Sequence, residues 1–209
     1  MSAAPLVPAS AESEARAAEL LRAGELVVFP TDTVYGIGAA VYNPKAVARL
    51  FVAKGRPSDR PIPVLVSGSD QIARLTSHVD PRVARLIERF WPGALTVVLP
   101  AAPWLPGELV RGTGTVGLRF PDNEVARSII RQAGGAVATT SANRSGEPEA
   151  RTAAEAAEAL GAHVALIVDG GPASGGVPST VITFEGDELR VLRAGAIPPE
   201  ALPQRLGSA

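Results

Sequence analysis

Hydrophobic and polar positions along the chain switch repeatedly between a helical period and a strand period, and the switches predict an alternating series of elements. Residues 10–23 set Ala and Leu against Arg and Glu at helical spacing and stop at Gly24, which fits a C-terminal cap. The apolar run 26–29 predicts a short buried strand that ends at Pro30. Asn43-Pro44 opens a second helix, with Val47, Leu50 and Phe51 on one face. Residues 63–66 predict a strand. Residues 81–90 predict a helix with Val83, Leu86, Ile87 and Phe90 turned inward, stopped by Trp91-Pro92-Gly93. Strands are predicted over 95–99, 116–120, 136–140 and 165–168, with helices over 123–132 and 152–160. Residues 180–184 and 189–192 pair as a hairpin around Glu185-Gly186-Asp187, and 197–206 predict one short helix with a frayed end.

Helices and strands alternate, yet several strands follow one another with no helix between them. The expected fold is an α/β domain around one twisted sheet of mixed direction with flanking helices, not a pure doubly wound sheet. The 209 residues predict a single domain over 10–200, with weakly structured tails at 1–9 and 201–209. The Gly-, Ser- and Pro-rich stretch 170–179 is the long loop expected inside it, and loops of that length tend to carry function.

Composition removes several chemistries. There is no cysteine, so disulfides, thiolate catalysis and cysteine metal sites drop out. The two histidines, His78 and His163, fall in a polar loop and just ahead of a strand, outside any metal-spaced cluster. Imidazole is therefore not the expected proton carrier, and no metal-ligand set is predicted. A net charge of −1 provides no global field for nucleic acid or lipid, and Arg82, Arg85 and Arg89 fit the solvated face of a helix. No apolar run reaches the roughly 20 residues that span a bilayer. Residues 1–11 lack the pattern of a secretory leader, so a cytoplasmic location with no membrane contact is expected.

Two motif readings fail on context. Gly112-Thr-Gly-Thr-Val-Gly117 matches the dinucleotide fingerprint in letters, but its glycines lead into a strand where the fingerprint must open a helix. Neither a P-loop nor Gly-x-Ser-x-Gly occurs. Polar side chains gather instead at strand ends. Thr31-Asp32-Thr33 follows the first strand, Thr139-Thr140-Ser141-Ala142-Asn143 ends another, and Pro178-Ser179-Thr180 opens a third. Each cluster alone is compatible with local turn formation.

The cations turn these clusters towards one polar pocket. Lys54, Arg56 and Arg60 put three positive charges in seven residues, with Pro57 restraining the turn. That arrangement suits an anion, with capping of a helix end as the alternative. Arg119 lies inside the apolar run 116–120, on the same face as Gly117. Such an arginine needs a partner, either a structural carboxylate or an anionic ligand such as an amino-acid carboxylate. Arg193 repeats the pattern more weakly at the end of 189–192. Asp32 is the nearest candidate for a general base, with turn capping as its other reading.

The segments FPTDTVYGIGA, KGRPSDRP, WPGALTVVL, TVGLRFP, TTSANRSGEP, VDGG…PSTVI and LRAG, in that order, resemble the YrdC family of threonylcarbamoyl-AMP synthases across roughly residues 14–198. The resemblance implies a YrdC-like fold with a concave, positively charged face. It implies synthesis of threonylcarbamoyl-AMP and pyrophosphate from ATP, L-threonine and bicarbonate, with Mg2+ accompanying the ATP. The product would pass to a tRNA threonylcarbamoyl transferase complex for t6A modification at adenosine 37 of tRNAs reading ANN codons, with at most a weak RNA contact.

Carried over by position, the resemblance implies that threonine lies near Thr33, Arg119, Thr139 and Ser179. ATP would lie against Lys54, Arg56, Arg60, Thr115, Ser141 and Arg193, with Lys54 and Arg56 as the catalytic cations. Relatives often have Lys or Asn in place of Arg60, and a bulky apolar residue in place of Pro63. Some relatives carry a second domain that closes over the pocket; this sequence stops soon after Ile197, so closure is expected from elsewhere.

Two other readings compete. A non-catalytic RNA-binding module is opposed by the near-neutral charge and an aromatic content of 4%. A related carbamoyl-adenylate enzyme with another acceptor differs only in its dependence on threonine.

Overall fold

The computed structural model describes residues 4–55 and 61–205. Among these residues ten strands form one sheet: β1 (Leu6–Pro8), β2 (Val27–Phe29), β3 (Gly36–Ala40), β4 (Val64–Val66), β5 (Leu95–Pro100), β6 (Thr115–Arg119), β7 (Ala136–Ser141), β8 (Leu166–Asp169), β9 (Thr180–Glu185) and β10 (Glu188–Arg193). They lie in the order β1-β8-β2-β3-β7-β4-β6-β5-β9-β10. The pairs β1–β8, β2–β8, β4–β6 and β5–β9 are parallel and the other pairs antiparallel, so the sheet is mixed as expected.

Among the described residues six α-helices accompany the sheet: α1 (Ala11–Arg22), α2 (Pro44–Lys54), α3 (Pro81–Phe90), α4 (Gly107–Val110), α5 (Glu124–Gln132) and α6 (Ala153–Leu160). The starts of all but α4 were legible because their caps are chemical. The side chains of Ser10, Asn43, Asp80, Asn123 and Thr152 each accept a backbone N–H from the first turn. At its other end α2 closes on Gly55, in a left-handed conformation at φ 58°.

The two faces of the sheet are covered unequally. Val28, Ile37, Val64, Val97 and Leu118 point to one face, where α2, α3, α4 and α6 pack over them. Val27, Phe29, Val137 and Val168 point to the other, under Ala17 and Leu21 of α1 and Ile129 and Ile130 of α5. Those two helices cover the β8-β2-β3-β7 end of their face, and α5 reaches Leu65 of β4. Over β6, β5 and β9 the same face is left open, and the alternation of each strand sends its second set of side chains into that opening.

Several elements depart from expectation, among them α4 and a 3-10 helix at Ser69–Arg74, neither of which was predicted. β3 was not predicted, because Gly36-Ile-Gly-Ala-Ala reads as a turn. The glycines are demanded by its neighbours: a Cβ on Gly36 would meet Thr139 Cγ2 at 2.8 Å, and one on Gly38 would meet Phe29 and Val137 at 2.8 Å. β1 lies in the segment expected to be a loose tail, and gains its order from parallel pairing with β8. At the other end, Leu189 N–H donates to Gln204 O at 3.0 Å and Leu202 is buried, so 201–205 are also attached. The helix expected over 197–206 is a single 3-10 turn at Pro199–Ala201. No described helix is long and apolar enough to cross a membrane.

Candidate active site

The open part of the sheet forms the floor of a cavity of about 610 Å³. β6 presents Thr115, Gly117 and Arg119 to it, β5 presents Thr96 and Val98, and β4 presents Leu65. The intervening Val116 and Leu118 point into the core behind the sheet. This is the alternation read from the sequence, and it carries Arg119 to the same side as Gly117.

Arg119 is held on three sides. Its Nη2 donates to Asp32 Oδ1 at 2.6 Å, Nη1 to Thr33 Oγ1 at 2.9 Å and Nε to the Gly93 carbonyl at 3.0 Å. A guanidinium has five N–H groups, so these bonds leave two for another partner. Burial pushes its pKa down, against the charge and hydrogen bond of Asp32, which push it up. Arginine's ordinary value is so high that the group stays charged. The structural carboxylate considered for Arg119 therefore exists, and Arg119 itself lines the cavity as well. Asp32 is engaged by this ion pair, which fixes the direction of the Arg119 guanidinium.

The turn that carries Asp32 is fixed locally and from outside. Thr31 Oγ1 donates to the Val34 carbonyl at 2.6 Å and accepts from the N–H groups of Thr33 and Val34. The loop 170–179 lies against it, with Gly175 N–H donating to Asp32 O at 3.0 Å and Gly176 N–H to Thr33 O at 2.7 Å. A Cβ on Gly175 would stand 2.6 Å from Asp32 O, so only glycine permits this approach. Tyr35 secures the start of the loop. Its hydroxyl donates to Gly171 O at 2.7 Å and accepts from Gly170 N–H at 3.2 Å, and burial pushes its pKa up to about 12.

Lys54, the last residue of α2, is buried. Its Nζ donates to Ser141 O at 2.5 Å, Asn143 O at 2.6 Å and Asn143 Oδ1 at 2.9 Å. The anion-clamp reading sends this ammonium to a ligand; the structure also uses it to tie α2 to the end of β7. Asn143 is the centre of that tie. Its Oδ1 also accepts from Ser141 Oγ at 2.6 Å, and its Nδ2 donates to Glu147 O at 2.6 Å. Thr139, two residues before Ser141, donates from Oγ1 to Val137 O at 3.0 Å.

On the far side, Ser179 Oγ and Thr96 Oγ1 are 2.8 Å apart, and Arg193 Nη2 reaches Ser179 O at 2.7 Å and Ser179 Oγ at 3.1 Å. Burial lowers the Arg193 pKa; Glu149 opposes the shift and Arg119 adds to it. The two guanidiniums thus repel one another across the cavity, a field that an anion would relieve.

Of the residues the resemblance assigns to threonine, Thr33, Arg119, Thr139 and Ser179 all line this one cavity. Of those it assigns to ATP, Lys54, Thr115, Ser141 and Arg193 line it too. Arg56 and Arg60 lie outside the described residues. Sequence reasoning missed Thr96, Glu147 and Glu149, which also line the cavity, and assigned no role to Asn143. A hydroxyl inside the apolar run Leu95-Thr96-Val97 was the available signal for Thr96. Among the described residues no group of three metal-ligating side chains occurs. Fixed cations, hydroxyls and backbone groups on a rigid sheet equip the cavity to hold anionic ligands in a set geometry.

A family model named Sua5_yciO_yrdC and described as "Telomere recombination" matches residues 19–195. A protein of Bacillus subtilis named threonylcarbamoyl-AMP synthase is 43% identical over 194 residues, which are 92% of this chain and 56% of that protein. A Halorhodospira halophila protein of the same name is 36% identical over 154 residues, 74% of this chain and 81% of the relative. The crystal structure of Pyrococcus abyssi Sua5 complexed with L-threonine superposes with a TM-score of 0.91 at 37% identity, covering 96% of this chain and 59% of that one. The chain thus spans little more than half the length of the Bacillus and Pyrococcus proteins.

Proposed function

The chain belongs to the Sua5/YciO/YrdC family, and on that footing we propose that it makes threonylcarbamoyl-AMP and pyrophosphate from L-threonine, bicarbonate and Mg2+-bound ATP. The observation that carries this reading is the convergence of Thr33, Lys54, Arg119, Ser141 and Ser179, five residues from separate parts of the sequence, on one cavity. In this reading the threonine carboxylate takes the two N–H groups that Arg119 has left, and Thr139 and Ser179 face its polar groups. ATP lies along Lys54, Thr115, Ser141 and Arg193, with Arg56 and Arg60 completing its surroundings.

The chemistry needs no protein nucleophile. Threonine's neutral amine adds to CO2 and gives up a proton to solvent, or condenses with bicarbonate and releases water; either route gives an N-carboxylate. That carboxylate attacks the α-phosphorus in line, the bond to the β-phosphate oxygen breaks, and pyrophosphate leaves with the bonding pair. Negative charge grows on phosphate oxygens during the step, and Lys54, Arg56 and the other cations stabilise it. The product would pass to a tRNA threonylcarbamoyl transferase in the cytoplasm, supplying t6A. The concave face, positive in this reading, would make at most a weak RNA contact.

The test is pyrophosphate release by the purified protein with Mg2+, ATP and bicarbonate, with and without L-threonine. Release that requires threonine and bicarbonate supports the synthase. ATP binding without such release points to another acceptor, and salt-sensitive RNA binding without turnover points to a binding module.

A further inference from the structure

A second cavity, of about 330 Å³, lies at the other end of two strands that the first one touches. The first reaches Gly36 and Ser141, which begin β3 and end β7; the second reaches Ala40 and Ala136, which end β3 and begin β7. No lining residue is common to both. Among the described residues the second wall carries two charged side chains, Arg22 and Arg74, and no carboxylate. Both guanidiniums are held over the turn between α5 and β7. Arg22 Nη1 donates to Gln132 O, and Arg74 Nη1 reaches Gly134 O at 3.5 Å and Gln71 Oε1 at 3.2 Å. Of five N–H groups each, Arg22 keeps four and Arg74 three. Glu19, Glu25 and Asp70, the carboxylates closest to them in the chain, bond instead to Arg16, Arg49 and Gln71. Two like charges over one turn with no counter-charge form a field that an anion would relieve.

The exposed large aromatic rings gather at the same place. Tyr42 lines this cavity and is 44% exposed, while Trp104 is 62% exposed and donates its indole N–H to Arg74 O at 3.0 Å. The other tyrosine and tryptophan, Tyr35 and Trp91, are buried. Ala40, Gly134 and Ala136 bring nothing longer than a methyl group to the wall, which leaves room for a ligand of small-molecule size. An aromatic face beside guanidiniums with free N–H edges fits a ligand that is planar at one end and phosphorylated at the other. We propose that Arg22 and Arg74 bind the phosphate of a nucleoside phosphate whose base stacks on Tyr42, at a site separate from the first cavity. A free nucleotide and one unit of a single-stranded nucleic acid present this same chemistry. Trp104, on the other flank of Arg74, offers a second stacking face that only a strand can use.

Calorimetric titration of the full chain with cytidine monophosphate, cytidine and octacytidylate tests it. The monophosphate is expected to bind about tenfold more tightly than cytidine, and that advantage should vanish in R22A/R74A. Y42A should weaken the monophosphate and cytidine alike, by at least fivefold. The altered side chains are exposed, so Tm should hold in each variant. R193A, altered in the first cavity, should bind the monophosphate as the parent does. W104A identifies the source. A tenfold loss for octacytidylate with the monophosphate unchanged points to a strand, and equal binding of both by W104A and the parent points to the free nucleotide. Absence of saturable monophosphate binding, an advantage over cytidine that survives R22A/R74A, or binding lost in R193A would overturn the proposal. None of these readouts involves pyrophosphate release, so failure of the synthase reading would leave them as they are.

Discussion

Arg119 and Asp32 form an ion pair at 2.6 Å with side chains only 6% and 12% exposed. Removing one partner of such a pair leaves the other charge buried and uncompensated, at a cost of about 3–5 kcal/mol. R119A should therefore lower Tm as well as abolish threonine-dependent turnover. D32N keeps the shape and one acceptor but loses the charge that orients the guanidinium. It should raise KM for L-threonine at least tenfold and lower kcat less, read by steady-state pyrophosphate release. An unchanged KM in a folded D32N protein would reduce Asp32 to scaffolding.

Thr96 bears on the same ligand through Ser179. T96V removes the hydroxyl 2.8 Å from Ser179 Oγ and leaves nearly the same volume. The Ser179 hydroxyl, which already accepts from Arg193 Nη2 at 3.1 Å, then loses the hydroxyl partner that fixes its rotation. The expected result is a severalfold rise in KM for threonine, with ATP affinity and Tm little altered. Loss of ATP affinity in T96V would contradict the division of the cavity.

Gly195 sits where two backbones nearly touch. A Cβ there would lie 2.4 Å from Pro178 O and 2.5 Å from Ser179 C and Thr180 N, and none of these backbone atoms can swing aside as a side chain can. G195A should cost more than about 2 kcal/mol by denaturant unfolding, from forced backbone displacement. Because the displaced atoms include Ser179, threonine affinity should fall even where enough folded protein remains to measure it. A variant as stable as the parent would mean that the 178–180 backbone yields freely.

Tyr35 supplies a pH signature. Its folded-state pKa of about 12 lies above the ordinary value near 10 because burial penalises the phenolate. A raised value means that the fold favours the neutral form. The contribution is complete below pH 10 and is lost as pH rises through 12. Absorbance at 295 nm should show one of the two tyrosines resisting ionisation until the protein loosens. Y35F should remove that alkaline step. It should also cost about 1–2 kcal/mol at pH 7 by leaving Gly170 N–H and Gly171 O without their partner.

What could be read in advance depended on the range of the interaction. Capped helices and alternating strands are local patterns, and Ser10, Asn43 and Thr152 announced their helices within four residues. Arg119 was legible as a polar group on an apolar face, but its Asp32 partner stands 87 residues away and has no local signature. Lys54 was legible as a charge and not as a tie, because the oxygens it reaches belong to a strand end 87 and 89 residues on. β3 was illegible for a related reason. Its glycines answer to Thr139, Phe29 and Val137 in space, and in the sequence they imitate a turn.

The strand order also governs how the chain meets the ribosome. β8 separates β1 from β2, and β7 separates β3 from β4, so the amino-terminal part of the sheet cannot close from its own residues. Gly36 must wait for Ser141, and Leu6 for Ile167, before either has its neighbour. At 5–20 residues per second that delay is roughly ten seconds, during which β2 and β3 can offer bare edges to any passing strand. Newly made chains should depend on a holding chaperone in that interval, and amino-terminal fragments ending before residue 141 should aggregate instead of folding.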